Sequence, residues 1–272
     1  MVKNKKTILI ILILLTIVAF IGSVIQQILH GLSGWTENPL WIGYIASILI
    51  TIGAFLFRYV YADVDQLSKS LQESDVLNGT AGSSKDQLKP KRFLNVMPYA
   101  MLVGIGATIA IHQQFIIGMG LYFVMQILLI IAFSGIVHLK FKILFSKERR
   151  VTSLIIIGFW LIYMLTVFPL LILPGLEGLM LILVPFYVLS LIIMGAIAFL
   201  QLPYRKRSMG MRFILAVGAT SFIFSDTLIG YTVFVNPFEW SSALIQPTYV
   251  LAIALISAAI LFQTGKRKSI EE

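Results

Sequence analysis

Eight apolar stretches, each long enough to cross a lipid bilayer, run through this chain of 272 residues. A spanning helix rises about 1.5 Å per residue and needs about 20 mostly apolar residues. The stretches at roughly 7–29, 40–61, 93–112, 115–138, 151–173, 178–200, 211–235 and 242–264 meet that requirement. In hydrocarbon every backbone N–H and C=O must find a partner inside the protein, and for runs of this length the helix provides it. The sequence therefore predicts an all-α, polytopic membrane protein with eight transmembrane helices. Only 12% of the residues are charged, against about a quarter in soluble domains. Lipid has to serve as the solvent for so much apolar surface.

The charges between these stretches alternate in kind. The connections after the first, third, fifth and seventh stretches are short and contain no lysine or arginine. The clusters at Lys3 to Lys6, Lys85 to Arg92, Lys140 to Arg150, Arg205 to Arg212 and Lys266 to Lys268 all fall on the other side. Lys69 belongs to that side too, and Arg58 at the same end of the second helix can snorkel to it. Together these account for all 21 basic residues. Positive charge marks cytoplasmic loops, so both termini are expected to be cytoplasmic. A wrong helix count would break the alternation. The net charge of +9 thus reads as membrane orientation, and no nucleic-acid partner is expected.

The N-terminus, with Lys3, Lys5 and Lys6 before an apolar run, has the outline of a signal peptide. The run exceeds the roughly 7–15 residues of an ordinary signal core, and we read it as a retained helix. The expected organisation is two N-terminal helices over 1–61, a flexible cytoplasmic loop over 62–92, a six-helix core over 93–264 and a cytoplasmic tail over 265–272. The loop carries Gly79-Thr80-Ala81-Gly82-Ser83-Ser84 and charges of both signs, as linkers do. Gly104-Ile105-Gly106 lies inside a span, where it suits close helix packing rather than nucleotide binding. No cysteine is present, which excludes disulfides and thiolate chemistry. Histidines at zinc spacing, a Walker loop and GxSxG are all missing. No metal and no cofactor is expected.

Ionisable groups at membrane depth are costly and point to function. One carboxylate qualifies: Asp226, within Phe222-Ile223-Phe224-Ser225-Asp226-Thr227. At about 1.5 Å per residue it lies roughly 13 Å from the outer end of its helix. Tyr187, Tyr249, Gln126, Tyr122, Tyr163 and Thr166 fall at similar depth, with Gln246 slightly higher. This predicts a polar pocket in the outer half of the bundle. The structural alternative is that Asp226 only ties helices together. Pro169, Pro185 and Pro247 sit inside spans, where each removes a backbone hydrogen bond and kinks its helix.

Two stretches carry a resemblance. One is Gly218-Ala219-Thr220-Ser221-Phe222-Ile223-Phe224-Ser225-Asp226, and the other is Thr248-Tyr249-Val250-Leu251-Ala252. With Tyr187, Met194 and Ala198 upstream, they resemble the last helices of the YhhN-type lysoplasmalogenase family. Phe115-Ile116-Ile117-Gly118 resembles the helix after that family's first motif. The members are eight-helix membrane enzymes that cleave the vinyl-ether bond of lysoplasmalogens. The resemblance implies a membrane lipid hydrolase with Asp226 as acid and base. It also implies that Ser225, Tyr187, Tyr249, Gln126 and Tyr163 contact the substrate, a lysophospholipid or other single-chain amphiphile. Two departures stand out. The family's Gly-Asp motif falls at Gly106-Ala107-Thr108, without the carboxylate, and Gln126 stands where the family usually has histidine. Loss of one catalytic group typically costs about 10²–10⁴-fold in rate. A non-catalytic lipid-binding, transport or sensing relative is therefore the alternative function.

Overall fold

Among the described residues, each long apolar stretch from the second onward contains a helix. The computed structural model describes residues 41–60, 90–137, 144–147, 149–203, 208–236, 238 and 241–259, with Leu14, Ile17, Ile21 and Ile25. Among the described residues seven α-helices form: α1 Trp41–Val60, α2 Pro90–Gln113, α3 Phe115–Phe133, α4 Arg150–Val167, α5 Met180–Phe199, α6 Met209–Phe234 and α7 Ser241–Ala258. Leu14, Ile17, Ile21 and Ile25 are helical and exposed, at a spacing that puts them on one helix face. The rest of the first predicted span, the loop up to Lys89, the tail over 265–272 and most basic clusters lie outside the described residues.

Five stretches are long and apolar enough to cross a membrane: Arg92–Gln113, Phe115–Phe133, Arg150–Gly175, Met180–Phe199 and Met209–Phe234. Two shorter apolar stretches, Ile45–Leu56 and Leu244–Ala258, lie in α1 and α7. The chain is a helical integral membrane protein.

Helix boundaries follow local chemistry. α2 begins at Pro90, three residues before the predicted start, because a proline in the first turn lacks only an N–H that would be unpaired anyway. α3 stops at Phe133 rather than 138. There the Gly135 N–H turns to Ala132 O (3.0 Å) and the Ile136 N–H to Phe133 O (2.9 Å), a tighter winding that ends the helix. After Val167, α4 widens into a π turn over Phe168–Ile172 and then tightens into a 3-10 turn over Leu173–Gly175. Pro169 has no N–H for the α ladder, so the kink expected there takes the form of the π turn. Pro185 and Pro247 remain inside α5 and α7.

The principal helix contacts run α1–α2–α3–α5–α6–α7 and return to α1, a closed ring of six, with α4 packed outside against α5. α2 and α3 form an antiparallel hairpin joined by Gln114 alone, in extended conformation. Phe93 stacks on Phe133 at one end (6.3 Å), and Gly118 meets Ile111 at the other. A Cβ on Gly118 would lie 2.4 Å from Ile111 Cα, so only glycine permits this approach. On α4, Ile155, Ile162 and Leu165 are exposed, as suits a lipid-facing helix. Its buried Trp160 packs edge-on against Phe199 of α5 (5.3 Å).

Three short connections gather at one end of the ring. Phe115 beside Gln114 packs edge-on against Phe234 at the end of α6 (5.4 Å), and Gly175 abuts the Phe234 carbonyl. Described arginines lie at the opposite end. Arg92 donates to Ser134 Oγ (3.4 Å), Arg212 donates to the Leu202 carbonyl, and Arg149 and Arg150 start α4.

Candidate functional site

α6 brings Asp226 into the ring between Phe222 and Ile223 on one side and Ile229 and Gly230 on the other. The residue is 7% exposed. Its Oδ2 accepts two hydrogen bonds, from Tyr187 Oη on α5 (2.5 Å) and from Gln126 Nε2 on α3 (3.2 Å). Gln126 is wholly buried, and its Oε1 faces the hydroxyl of Ser190. Ser190 follows Tyr187 by three residues, which places both on one face of α5. Two donors, from α3 and α5, thus meet on one carboxyl oxygen of α6, with Ser190 behind Gln126. The other oxygen, Oδ1, is buried without a hydrogen-bond partner. With two donors already on Oδ2, Oδ1 is the oxygen free to hold a proton or to take one.

Two tyrosines nearby have their protons assigned by their threonine neighbours. Thr108 donates to the Gly104 carbonyl (2.8 Å), and a hydroxyl has one proton to give. In the 2.8 Å contact between Thr108 and Tyr122, Tyr122 is therefore the donor. Likewise Thr227 donates to the Ile223 carbonyl (2.7 Å), which makes Tyr163 the donor in its 2.5 Å contact with Thr227. Tyr249 of α7 packs edge-on against Tyr122 (5.8 Å) and at a tilt against Phe222 (6.0 Å). A Cβ on Gly104 would come within 2.9 Å of Tyr249 Oη and 2.8 Å of Met125 Sδ. Gly104 therefore serves close packing as its position in the span predicts, whereas Gly106 has ordinary space around it.

Two cavities adjoin these groups toward the end with the short connections. The first has a volume of about 50 Å³ and is lined by Asp226, Tyr187 and Tyr163 among apolar side chains such as Met119, Val188 and Leu191. The second, of about 210 Å³, is lined by Thr108, His112, Thr232, Gln246 and Tyr249 among others. Both are bounded by Ile111, Phe115, Tyr122 and Ile229, so they share a wall.

The structure brings Asp226, Tyr187 and Gln126 into direct contact and sets Tyr163 in the same cavity wall. Tyr249 borders the second cavity. Ser225 is placed differently. It is fully buried, lines neither cavity and donates to the Ile245 carbonyl (3.1 Å), joining α6 to α7. Thr166 is exposed and bonds the carbonyl of Ile162 in its own helix (2.7 Å). Ala107 is fully buried and lines neither cavity. Ser190, Thr108, Thr227 and Thr232 escaped the sequence reading. Ser190 carried a usable signal in its spacing from Tyr187. The threonines did not, because a threonine in a span commonly bonds its own helix backbone.

No group of three or more His, Asp or Glu side chains able to hold a metal occurs among the described residues. Comparison with curated proteins and comparison with solved structures each give no significant match. The model of the YhhN family matches residues 90–260, from the start of α2 to just beyond α7. That match covers well over half of the chain and contains Asp226, Tyr187 and Gln126, so the chain belongs to the YhhN family.

Proposed function

We propose that this protein hydrolyses the vinyl-ether bond of a lysophospholipid or another single-chain amphiphile, with Asp226 as the acid and base. The observation that carries this reading is the unequal pair of oxygens on Asp226: one held by Tyr187 and Gln126, the other unpartnered, beside an apolar cavity. Protonated Asp226 would give its proton to the double-bond carbon remote from the ether oxygen. The adjacent carbon becomes oxocarbenium-like, and water attacks it. Ionised Asp226 takes the proton that water loses. The resulting hemiacetal collapses to a long-chain aldehyde and an alcohol, so one water is consumed and the carboxyl is restored. Tyr187 and Gln126 favour the carboxylate formed after the first step, because hydrogen bonds to an ionised acceptor are the stronger ones.

The reading extends to the membrane. Basic residues concentrate on one side in the sequence, which supports cytoplasmic N- and C-termini. The site then opens toward the outer leaflet, and a single-chain lipid enters from there.

A second reading rests on Ala107. It stands where the family's first motif carries a carboxylate, and its side chain offers no acid or base. This favours a relative that binds single-chain lipids without cleaving them. Incubating purified protein with a vinyl-ether lysophospholipid and trapping the aldehyde separates the two. Catalytic aldehyde release supports the hydrolase. Saturable binding without aldehyde supports the binding protein.

A further inference from the structure

The first cavity runs through the wall of the ring. Met119 and Tyr122 of α3 line it from inside, and Tyr163, Phe168 and Ile172 of α4 and its π turn line it from outside. It therefore passes between α5 and α6. Toward the basic end these two helices meet closely, where a Cβ on Gly195 would come within 2.5 Å of Ile223 Cδ1. Toward the other end Val184 on α5 and Gly230 on α6 face the cavity instead. What closes the gap from outside is the end of α4. Buried Trp160 fixes the middle of that helix against α5. Beyond it, α4 reaches α6 through the π turn and through the hydrogen bond from Tyr163 to Thr227. Ile162 and Thr166, on either side of Tyr163, are exposed.

Resting on the proposed single-chain ligand at Asp226, we infer that its hydrocarbon chain lies in this gap between α5 and α6 and leaves the protein between α4 and α6, past Tyr163 and Thr227. Size requires an exit. A cavity of about 50 Å³ has room for roughly three to five water-sized groups, so it encloses the carbons next to the vinyl group and no more of a long chain. Chemistry selects the chain for this path. Tyr163 gives its proton to Thr227, and Thr227 gives its own to the Ile223 carbonyl, so neither hydroxyl has a donor to spare for a headgroup. Phe168, Ile172, Val184 and Val188 complete an apolar surface around them. Thr227 follows Asp226 directly on α6, which sets the exit at the depth of the carboxyl, within the hydrocarbon core. Gly230 keeps the passage open, because a Cβ there would already stand 3.2 Å from Ile172 Cδ1.

The test uses a saturated ether, which has no vinyl bond to cleave, so it does not depend on turnover. The full-length protein in nanodiscs is irradiated with 1-O-hexadecyl-glycerophosphoethanolamine carrying a diazirine in mid-chain. Adducts are mapped by mass spectrometry with and without an excess of the unreactive ether, which separates a bound chain from bulk lipid. The expected result is displaceable labelling on residues 162–172 and 224–231. Gly230→Leu should lower that labelling at least about tenfold by filling the passage, while Gly120→Ala leaves it unchanged. Displaceable adducts centred on any other helix, no displaceable adduct, or full labelling of a folded Gly230→Leu protein overturns the inference. Aldehyde release from a vinyl-ether lysophospholipid, measured on the same preparation, decides the hydrolase reading separately.

Discussion

Burying a carboxyl near mid-membrane costs about 2.5–3.5 kcal/mol on insertion scales, so the surroundings of Asp226 have to offset it. Tyr187 and Gln126 do so at Oδ2 alone. Removing one of them tests their contribution. Tyr187→Phe keeps the ring and deletes the donor. A hydrogen bond to a charged group contributes about 1.5–3 kcal/mol, so aldehyde release by this variant should fall at least about tenfold, as initial rates will show. Ser225→Ala is the contrasting case. Ser225 bonds a backbone carbonyl on α7 and faces neither cavity. Thr248 gives its one proton to the Leu244 carbonyl (2.6 Å) and makes only a longer contact with that of Ile245 (3.0 Å), so the loss falls on the link between α6 and α7. Thermal unfolding should therefore register a loss of about 0.5–1.5 kcal/mol with little change in rate. A large rate loss in a folded Ser225→Ala protein would return Ser225 to the site. Sequence neighbours can thus point to different helices. Successive residues on a helix are about 100° apart, so adjacency to Asp226 was a poor guide and three-residue spacing from Tyr187 a better one.

At the level of elements, apolar length and breaker residues made the helices legible. The predicted second to eighth stretches coincide with α1 to α7 within a few residues, apart from the earlier ends of α3 and α4, and the predicted end of the eighth at 264 lies outside the described residues. The closed ring was not legible, because the apolar pattern of a lipid-facing helix says little about which neighbour its buried face meets. Small residues decide those contacts. Gly118 is pressed against Ile111, while Gly120, two residues on and facing the other side of the helix, has no atom within 4 Å of a built Cβ. Gly118→Ala should lower the unfolding temperature in detergent, by an overpacking penalty of about 1–3 kcal/mol. Gly120→Ala should be neutral or stabilising by up to about 1 kcal/mol, since alanine is the better helix former. Equal effects from the two would contradict the hairpin register. The site depends on that register, because the hairpin pairs Thr108 with Tyr122 and aims Gln126 toward α5 and α6.

At the level of the whole molecule, the described arginines gather at one end, and the candidate site lies toward the other. The charge pattern made this polarity readable in the sequence. The paired cavities were not, since they arise from residues on α2 to α7 that only the packed bundle brings together. The chain has no cysteine, so single cysteines can report sidedness. A membrane-impermeant maleimide should label Gln114→Cys in intact cells and Arg150→Cys only after permeabilisation. The reverse pattern would invert the orientation. The central claim, that the Asp226 carboxyl delivers the proton to the vinyl carbon, is tested most directly by comparing the native protein with Asp226→Asn in heavy water. The native protein should release aldehyde bearing one deuterium on the carbon next to the carbonyl, and Asp226→Asn should lose at least about 10²-fold in rate. Aldehyde release by a folded Asp226→Asn protein at the native rate would contradict the account.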